Sequence, residues 1–450
     1  MTDDARAEPG TPRNLGDGLV LRRARSEDGD AVAEFHANTL LDIGETPPLE
    51  RLYYWILDLM RGKHPTFTPA DFTLVEETAT GKIVSSMALL SQTWTYDGVA
   101  FPFGQPDVVS TDPAYRRCGL VRAQFDEIHR WSAERGELVQ GITGIPWYYR
   151  QFGYEMALSL DAHRAGFPSL VPRLNDGDRE PFVFRRATPS DLPFIAEMYQ
   201  QAIARSVVAS VRDEALWRFD IEGRSPKSGN GREFRVIEAA DGPGEPVGLV
   251  IHSRKLWGAA LGVRLYEVKA GVPLLAVTPS LLRYLETVGA DYARRDGEEF
   301  TTLVFNLGEE HPVYETIPDK LPKIGDPYAW FIRVADLPAF VRRIAPALER
   351  RLAVSAQAGF TGDLKVNFYR SGLRLRFEEG RISADAWTPE RVEAGDAAFP
   401  ALTFLQLLFG FRSLDELRYA FPDCSVSTDP ARALLPILFP KKPSHVWSGG

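Results

Sequence analysis

The sequence predicts an α/β sandwich built on mixed sheets, present twice in tandem and followed by a smaller α+β unit. Three observations predict it. First, Val20-Leu21-Arg22-Arg23-Ala24, with Asp28 and Ala33-Glu34 after it, recurs as Val183-Phe184-Arg185-Arg186-Ala187, with Asp191 and Ala196-Glu197 at the same offsets. A spacing of one domain length indicates duplication of a whole domain rather than a solenoid repeat. Second, short runs of strand character alternate with runs of helical period in both copies, the pattern of helices packed on a twisted sheet. Third, from Trp330 the style changes to a hairpin followed by apolar helices. The expected units are 18–165, 166–330 and 331–450.

Composition narrows the classes. A hydrophobic content of 44% and a charged content of 25% are those of a globular protein, and 450 residues exceed one ordinary core. No apolar run approaches the roughly 18 residues of a membrane span. Residues 1–17 are polar and rich in Pro and Gly, and read as a frayed tail rather than a signal peptide. Cys118 and Cys424 are the only cysteines, and the seven histidines are scattered singly, so neither a disulfide framework nor a metal site is expected. A net charge of −9 disfavours non-specific nucleic-acid binding. Together these point to a cytoplasmic protein.

Taken in order, each copy opens with a short strand, a turn with a capping Ser or Asp, and a helix beginning near residues 30 and 192. Residues 48–61 place Leu52, Trp55, Ile56 and Leu59 on one helical face. Residues 72–76 and 82–90 read as a hairpin around Thr80-Gly81. Strands follow at 138–142 and 155–160, with the aromatic segment 147–154 between them. In the second copy, strands are expected at 234–238, 246–253 and 266–268. Leu274-Leu275-Ala276-Val277 reads as the strand feeding a helix at 281–294. Further on, 331–334 reads as a strand, 337–352 as a helix with Pro338 in its first turn, and 363–369 with 372–378 as a hairpin. A strand at 381–386 and helices at 400–409, 414–419 and 431–439 complete the chain. The Phe and Leu stripe of this last part reads as core rather than a lipid tunnel.

The stretch that organises the chain is Val108-Val109-Ser110-Thr111-Asp112-Pro113-Ala114-Tyr115-Arg116-Arg117-Cys118-Gly119-Leu120-Val121-Arg122. It reads as a strand, an Asp-Pro turn, and a basic turn opening a helix to about Arg135. The first N–H groups of a helix have no intrahelical partner and the dipole is positive there. Gly119 also lets a ligand approach the backbone, so an anion site is expected. Trp147-Tyr148-Tyr149-Arg150-Gln151-Phe152-Gly153-Tyr154 follows. The pair resembles the pyrophosphate signature R/Q-x-x-G-x-G/A of the GNAT superfamily of N-acetyltransferases, with Val121 in place of the final Gly or Ala, together with the Tyr-x-x-Phe-Gly-Tyr segment. The second copy has no such basic turn and reads as degenerate. Two GNAT-like units followed by a unit similar to the sterol-carrier-protein fold is the arrangement of the Eis (enhanced intracellular survival) family, which the chain resembles over nearly its whole length.

That resemblance implies an acetyl-CoA-dependent N-acetyltransferase acting on a primary amine, such as an aminoglycoside-like polyamine or a lysine side chain, through a tetrahedral intermediate. It implies a homohexamer, and it puts acetyl-CoA on Val109, Ser110, Thr111, Arg117, Cys118, Gly119, Leu120, Val121, Arg122, Gly144 and Ile145, with no metal. A strand edge suits an amide-rich pantetheine arm, which can bind as an added strand. Cys118 reads as a backbone contact rather than a nucleophile. Tyr149 is the implied general acid, since a phenol of ordinary pKa about 10 is protonated at neutral pH; Tyr148 and Tyr154 are its rivals. The family's general base is the terminal carboxylate, here that of Gly450, although this sequence ends Trp-Ser-Gly-Gly where the family ends on an aromatic residue. The alternative reading is a non-catalytic carrier or scaffold holding an apolar ligand in its last unit.

Overall fold

Among the described residues the strands form three sheets. The computed structural model describes residues 11–41, 48–242 and 244–447. The first sheet is built from β1 (Arg13–Gly16), β2 (Leu19–Arg23), β3 (Phe72–Glu77), β4 (Ile83–Tyr96), β5 (Val99–Thr111), β6 (Val139–Ile142) and β7 (Glu155–Leu160). Helices α1 (Gly29–Thr39), α2 (Glu50–Met60) and α3 (Leu120–Glu134) complete this part. Apolar residues of α2 at helical spacing, Leu52, Ile56 and Leu59, are buried against Phe72 and Leu74 of β3. On α3, Phe125, Ile128 and Trp131 pack against Met87 and Leu89 of β4 on the opposite face. The sheet is therefore sandwiched, as the strand and helix periodicities required.

The internal repeat is realised atom for atom. Arg22 holds Asp28 at 2.8 Å and Glu76 at 2.6 Å. Arg185 holds Asp191 at 2.7 Å and Glu238 at 2.6 Å. Asp28 and Asp191 each also cap the turn that starts the helix, closing it onto the strand before. The second sheet has seven strands and includes Phe182–Arg186, Arg232–Ala239, Pro246–Ser253 and Ala260–Val268.

Two expectations are corrected here. Residues Leu274–Asp296 form one helix, so 274–277 is not a strand. The strand that corresponds to β5 is Ala260–Val268, which pairs in parallel with Thr302–Phe305 as β5 pairs with β6. A short apolar run does not distinguish a buried strand from a buried helix by its period. The strand Tyr328–Val334 does not lead the last sheet; it lies inside the first sheet, between β6 and β7. In return His163–Gly166, just beyond β7, joins the second sheet. The sheets thus exchange strands at both expected boundaries.

The last part is α+β, with a five-stranded sheet and the helix Leu337–Ala353. Its Leu364, Val366, Leu373, Leu375 and Phe377 are buried with Phe340, Ile344 and Leu348 in one continuous core. The apolar stripe is packed protein interior. The tip of the β4–β5 hairpin enters the same core: Trp94 stacks on Phe103, and the Tyr96 hydroxyl donates to the Leu408 carbonyl at 2.7 Å.

One buried histidine sets a pH dependence. His36 of α1 is fully buried, with Nδ1 2.8 Å from Ser110 Oγ and Nε2 3.1 Å from Ser86 Oγ, and so ties α1 to β5 and β4. Burial pushes its pKa down to about 3. In the unfolded chain the value is about 6.5, so between the two the unfolded state binds the extra proton. Stability is therefore complete above about pH 6.5 and falls as the pH drops, by up to ~1.4 kcal/mol per pH unit for this group. His36→Gln is expected to be less stable than the parent at pH 7 but to lose less between pH 7 and 5. Urea midpoints at the two pH values check this; parallel losses would refute it.

Candidate active site

The site begins where β5 and β6 part. They pair in parallel only at Phe103↔Val139 and Gly104↔Gln140. Beyond Gly104 the β5 edge facing β6 is unpaired, while its other edge stays bonded to β4 through Ser86↔Ser110 and Ser85↔Thr111. Val109, Ser110 and Thr111 thus present one free backbone edge. Their side chains are used for anchoring: Ser110 Oγ meets His36, and Ser85 Oγ donates to the Ser110 carbonyl at 2.9 Å. A bulge at Val108, whose φ is +45°, turns the strand at this point.

The chain then reaches the basic turn. Asp112 accepts from Ala114 N at 2.9 Å and pairs with Lys82 at 2.6 Å, and the Tyr115 hydroxyl donates to Glu77 at 3.0 Å. These contacts fix the approach to α3. Arg117 and Gly119 both take left-handed backbone, with φ of +66° and +77°. Gly119 is the N-cap of α3 and no side chain caps the helix, which leaves its first N–H groups pointing out of the turn. Nothing lies within 4 Å of where a Cβ on Gly119 would be. Arg116, Arg117, Cys118 and Gly119 are exposed, while Leu120 is buried and Val121 half-buried. Arg122 is exposed, donates to Gln151 at 3.0 Å and lies over the Phe152 ring. Gln124 of α3, fully buried, donates to Ser85 at 2.6 Å and accepts from Thr73 at 2.7 Å, which sets the helix against the sheet. Open backbone donors, a helix N-terminus and unshielded guanidiniums fit a diphosphate.

Across the splay, Gly144 and Ile145 follow β6 and are exposed. The Tyr149 hydroxyl lies 3.4 Å from the position of a Cβ on Gly144, whose φ is +124°. The ring itself is buried among Phe125 and Phe331. Burial, with Asp107, Tyr148 and Tyr328 nearby, raises the Tyr149 pKa well above the ordinary phenol value. The rivals differ. Tyr154 is fully buried, donating to Gln140 at 3.0 Å with His129 Nε2 at the same distance, and Tyr148 is half-buried. Gly450 lies outside the described residues. The last described residue, Trp447, forms part of the wall of a pocket of about 210 Å³ with Gln92, Thr93, Ser210 and Arg212.

Sequence reasoning missed Asp107. It faces Ala88 across the β4–β5 ladder at the start of the bulge. Its carboxylate accepts from Val108 N at 2.8 Å and from Gln105 Nε2 at 2.7 Å. Gln105 Oε1 accepts from Gln92 Nε2 at 2.7 Å, so a chain of amides runs from the 210 Å³ pocket to Asp107. Burial pushes its pKa up to about 6, against the lowering effect of those two bonds. A carboxylate that titrates near neutrality, close enough to act on the pKa of a phenol that stays protonated, has the chemistry of a general base beside a general acid. Among the described residues no group of three or more His, Cys, Asp or Glu is placed to hold a metal, and no helix is long and apolar enough to cross a membrane.

Three solved structures are similar over nearly the whole chain. A GCN5-related N-acetyltransferase from Anabaena variabilis has a TM-score of 0.62 at 13% identity, covering 95% of this chain and 99% of that one. A GCN5-related N-acetyltransferase from Kribbella flavida has a TM-score of 0.58 at 17% identity, covering 95% and 97%. Eis1 from Mycobacterium abscessus has a TM-score of 0.57 at 13% identity, covering 96% and 99%. Likeness at this level of identity is likeness of fold. No curated protein matches the sequence. Residues 20–157, which hold the splay, the basic turn, Asp107 and Tyr149, match the family model described as an acetyltransferase (GNAT) domain. The chain carries an acetyltransferase domain of the GNAT kind and is an N-acetyltransferase.

Proposed function

We propose that the protein transfers an acetyl group from acetyl-CoA to a primary amine, and that the reaction takes place between β5 and β6. The observation that carries this reading is that Asp107, a carboxylate of raised pKa, and Tyr149, a phenol whose pKa its charge raises, both border the splay beside the open turn at 117–122. The free edge of Val109, Ser110 and Thr111 suits the pantetheine amides, and the N–H groups of Gly119, Leu120, Val121 and Arg122 suit the pyrophosphate, with Arg117 and Arg122 supplying charge. Cys118 contributes its backbone. Gly144 and Ile145 border the thioester. Asp107 takes the proton of the attacking amine, and its two accepted hydrogen bonds leave lone pairs for that task. The amine nitrogen then bonds to the thioester carbonyl carbon. Tyr149 gives its proton to the sulfur as the carbon–sulfur bond breaks. The acceptor enters through the pocket over Gln92, and the resemblance to the Eis family suggests polyamines or lysine side chains as its class. The same resemblance underlies a three-unit division at 18–165, 166–330 and 331–450, a sterol-carrier-like last unit, a homohexamer and a cytoplasmic location; light scattering tests the hexamer.

The deciding measurement is thiol release from acetyl-CoA with a panel of amines. Gly119→Asp supplies the control. Asp tolerates left-handed backbone better than most residues and meets no neighbour there, so the fold is expected to survive. Its carboxylate opposes the diphosphate, and acetyl-CoA affinity is expected to fall by about a hundredfold or more, equivalent to about 3 kcal/mol. Calorimetric titration reads the change. Unchanged affinity in a folded variant would remove the turn from the cofactor site.

A further inference from the structure

The free edge at 109–111 belongs to β5, and the open turn at 117–122 belongs to α3, so the two must be set against each other. After its bulge β5 keeps two register pairs with β4, Ser86↔Ser110 and Ser85↔Thr111, and one further bond from Asp112 N to the Val84 carbonyl at 2.9 Å. A ladder that short specifies its register weakly, and a slip of one residue moves every side chain to the opposite face. Leu120 seats the first turn of α3 in an apolar cluster with Leu21, Val75 and Val84, but apolar packing has no direction.

A buried polar chain supplies the direction. Gln124, one turn further along α3, donates from Nε2 to Ser85 Oγ at 2.6 Å and accepts from Thr73 Oγ1 at 2.7 Å. Ser85 Oγ has one proton, and the Ser110 carbonyl, which can only accept, takes it at 2.9 Å. The Thr111 hydroxyl, 2.8 Å from Ser85 Oγ, is therefore a donor to it. From α1, on the other face of the sheet, His36 meets the Ser110 and Ser86 hydroxyls. Thr73, Ser85, Ser86 and Gln124 are all fully buried, at places where apolar side chains would pack without needing partners. The chain of bonds runs unbroken from the helix that carries the turn to Ser110 and Thr111 of the strand edge.

We propose, on the cofactor placement inferred above, that Gln124 is a positioning residue for acetyl-CoA. Acting through Ser85, it fixes the separation and relative direction of the pyrophosphate turn and the pantetheine edge. A ligand that spans two sites gains over its separate halves only when the spacing of the sites fits its own length. Gln124 is fully buried and reaches neither half itself. Its loss therefore costs the spanning ligand and spares the fragments.

The test is Gln124→Leu in the full chain. Both partners keep a bond, Thr73 Oγ1 to the Met87 carbonyl at 3.1 Å and Ser85 Oγ to the Ser110 carbonyl, so neither hydroxyl is stranded and the fold is expected to survive. Calorimetric titration is expected to show acetyl-CoA affinity lower by about tenfold or more. Competition titrations with S-acetylpantetheine and with ADP, each of which fills one part of the site, are expected not to distinguish variant from parent. Gln124→Met, unbranched and of similar length, decides the matter if Gln124→Leu does not fold. A lower melting temperature with unchanged acetyl-CoA affinity would make Gln124 a purely structural residue and overturn the proposal. An equal loss for acetyl-CoA and for both fragments would overturn it as well. Gly119→Asp separates the two levels. If that variant also keeps its acetyl-CoA affinity, the cofactor placement fails; if it loses affinity and Gln124→Leu does not, only the positioning role fails.

Discussion

Tyr149→Phe is expected to lower turnover by roughly 10²–10⁴-fold, the range for loss of a positioned proton donor. The substitution removes one oxygen and keeps the ring, so the packing against Phe125 and Phe331 persists. Melting temperature and acetyl-CoA affinity should hardly move. Because the pKa of Tyr149 is raised by burial and by nearby Asp107, the phenol stays protonated over the whole working range. Its loss should therefore depress kcat and kcat/KM together, the signature of an interaction made in the transition state. Tyr148→Phe is the matched comparison, since its ring meets Tyr149 edge-on at 5.3 Å between centroids. A Tyr149→Phe enzyme within threefold of the parent, beside a crippled Tyr148→Phe, would transfer the role to Tyr148.

What the sequence disclosed about this site, and what it hid, follows from how local each feature is. A diphosphate cradle is made by the backbone of one turn, so Arg116 to Arg122 can be read from consecutive residues. The ion pairs of Arg22 and Arg185 repeat because each joins a strand to the cap of the helix after it, only six positions away for Asp28 and Asp191. Asp107 is different. Its basicity comes from burial, which outweighs the lowering effect of the two bonds it accepts, and Gln92 of β4 holds the Gln105 amide beside it. A lone Asp in a strand ordinarily reads as a solvated residue. The one available signal was Gln105-x-Asp107, two polar residues on the same face of an otherwise apolar strand. The strand exchange is equally non-local: the apolar run 328–334 is a good strand anywhere, and only packing decides which sheet receives it. The duplicated copy misled in one place because Leu274-Leu275-Ala276-Val277 is apolar without a diagnostic period, and Pro273 as N-cap gives it to the helix.

Asp107→Asn is expected to cost roughly 10²–10⁴-fold in turnover and to change the shape of the pH profile. In the parent the base works only when ionised, and burial sets its pKa at about 6. The kcat/KM of the parent should therefore rise with pH through an inflection near 6, and that inflection should vanish in the variant. The residual rate should then follow only the fraction of acceptor amine that is already unprotonated. The stability effect has a definite sign. An Asp of folded pKa about 6 and unfolded pKa about 3.9 binds more proton when folded, so its ionisation weakens the fold as pH rises between those values. Asn carries no such charge, but it sets an amide N–H against either Val108 N or Gln105 Nε2, a mismatch of about 1–3 kcal/mol. Relative to the parent, the variant should be weakest at acid pH and recover toward neutrality. The same experiment separates the two candidate bases. If Asp107→Asn stays within threefold of the parent, keeps the inflection, and a few residues appended after Gly450 abolish turnover, the proton goes to the terminal carboxylate. If appended residues are harmless while Asp107→Asn is inactive and still binds acetyl-CoA, the base is the strand carboxylate.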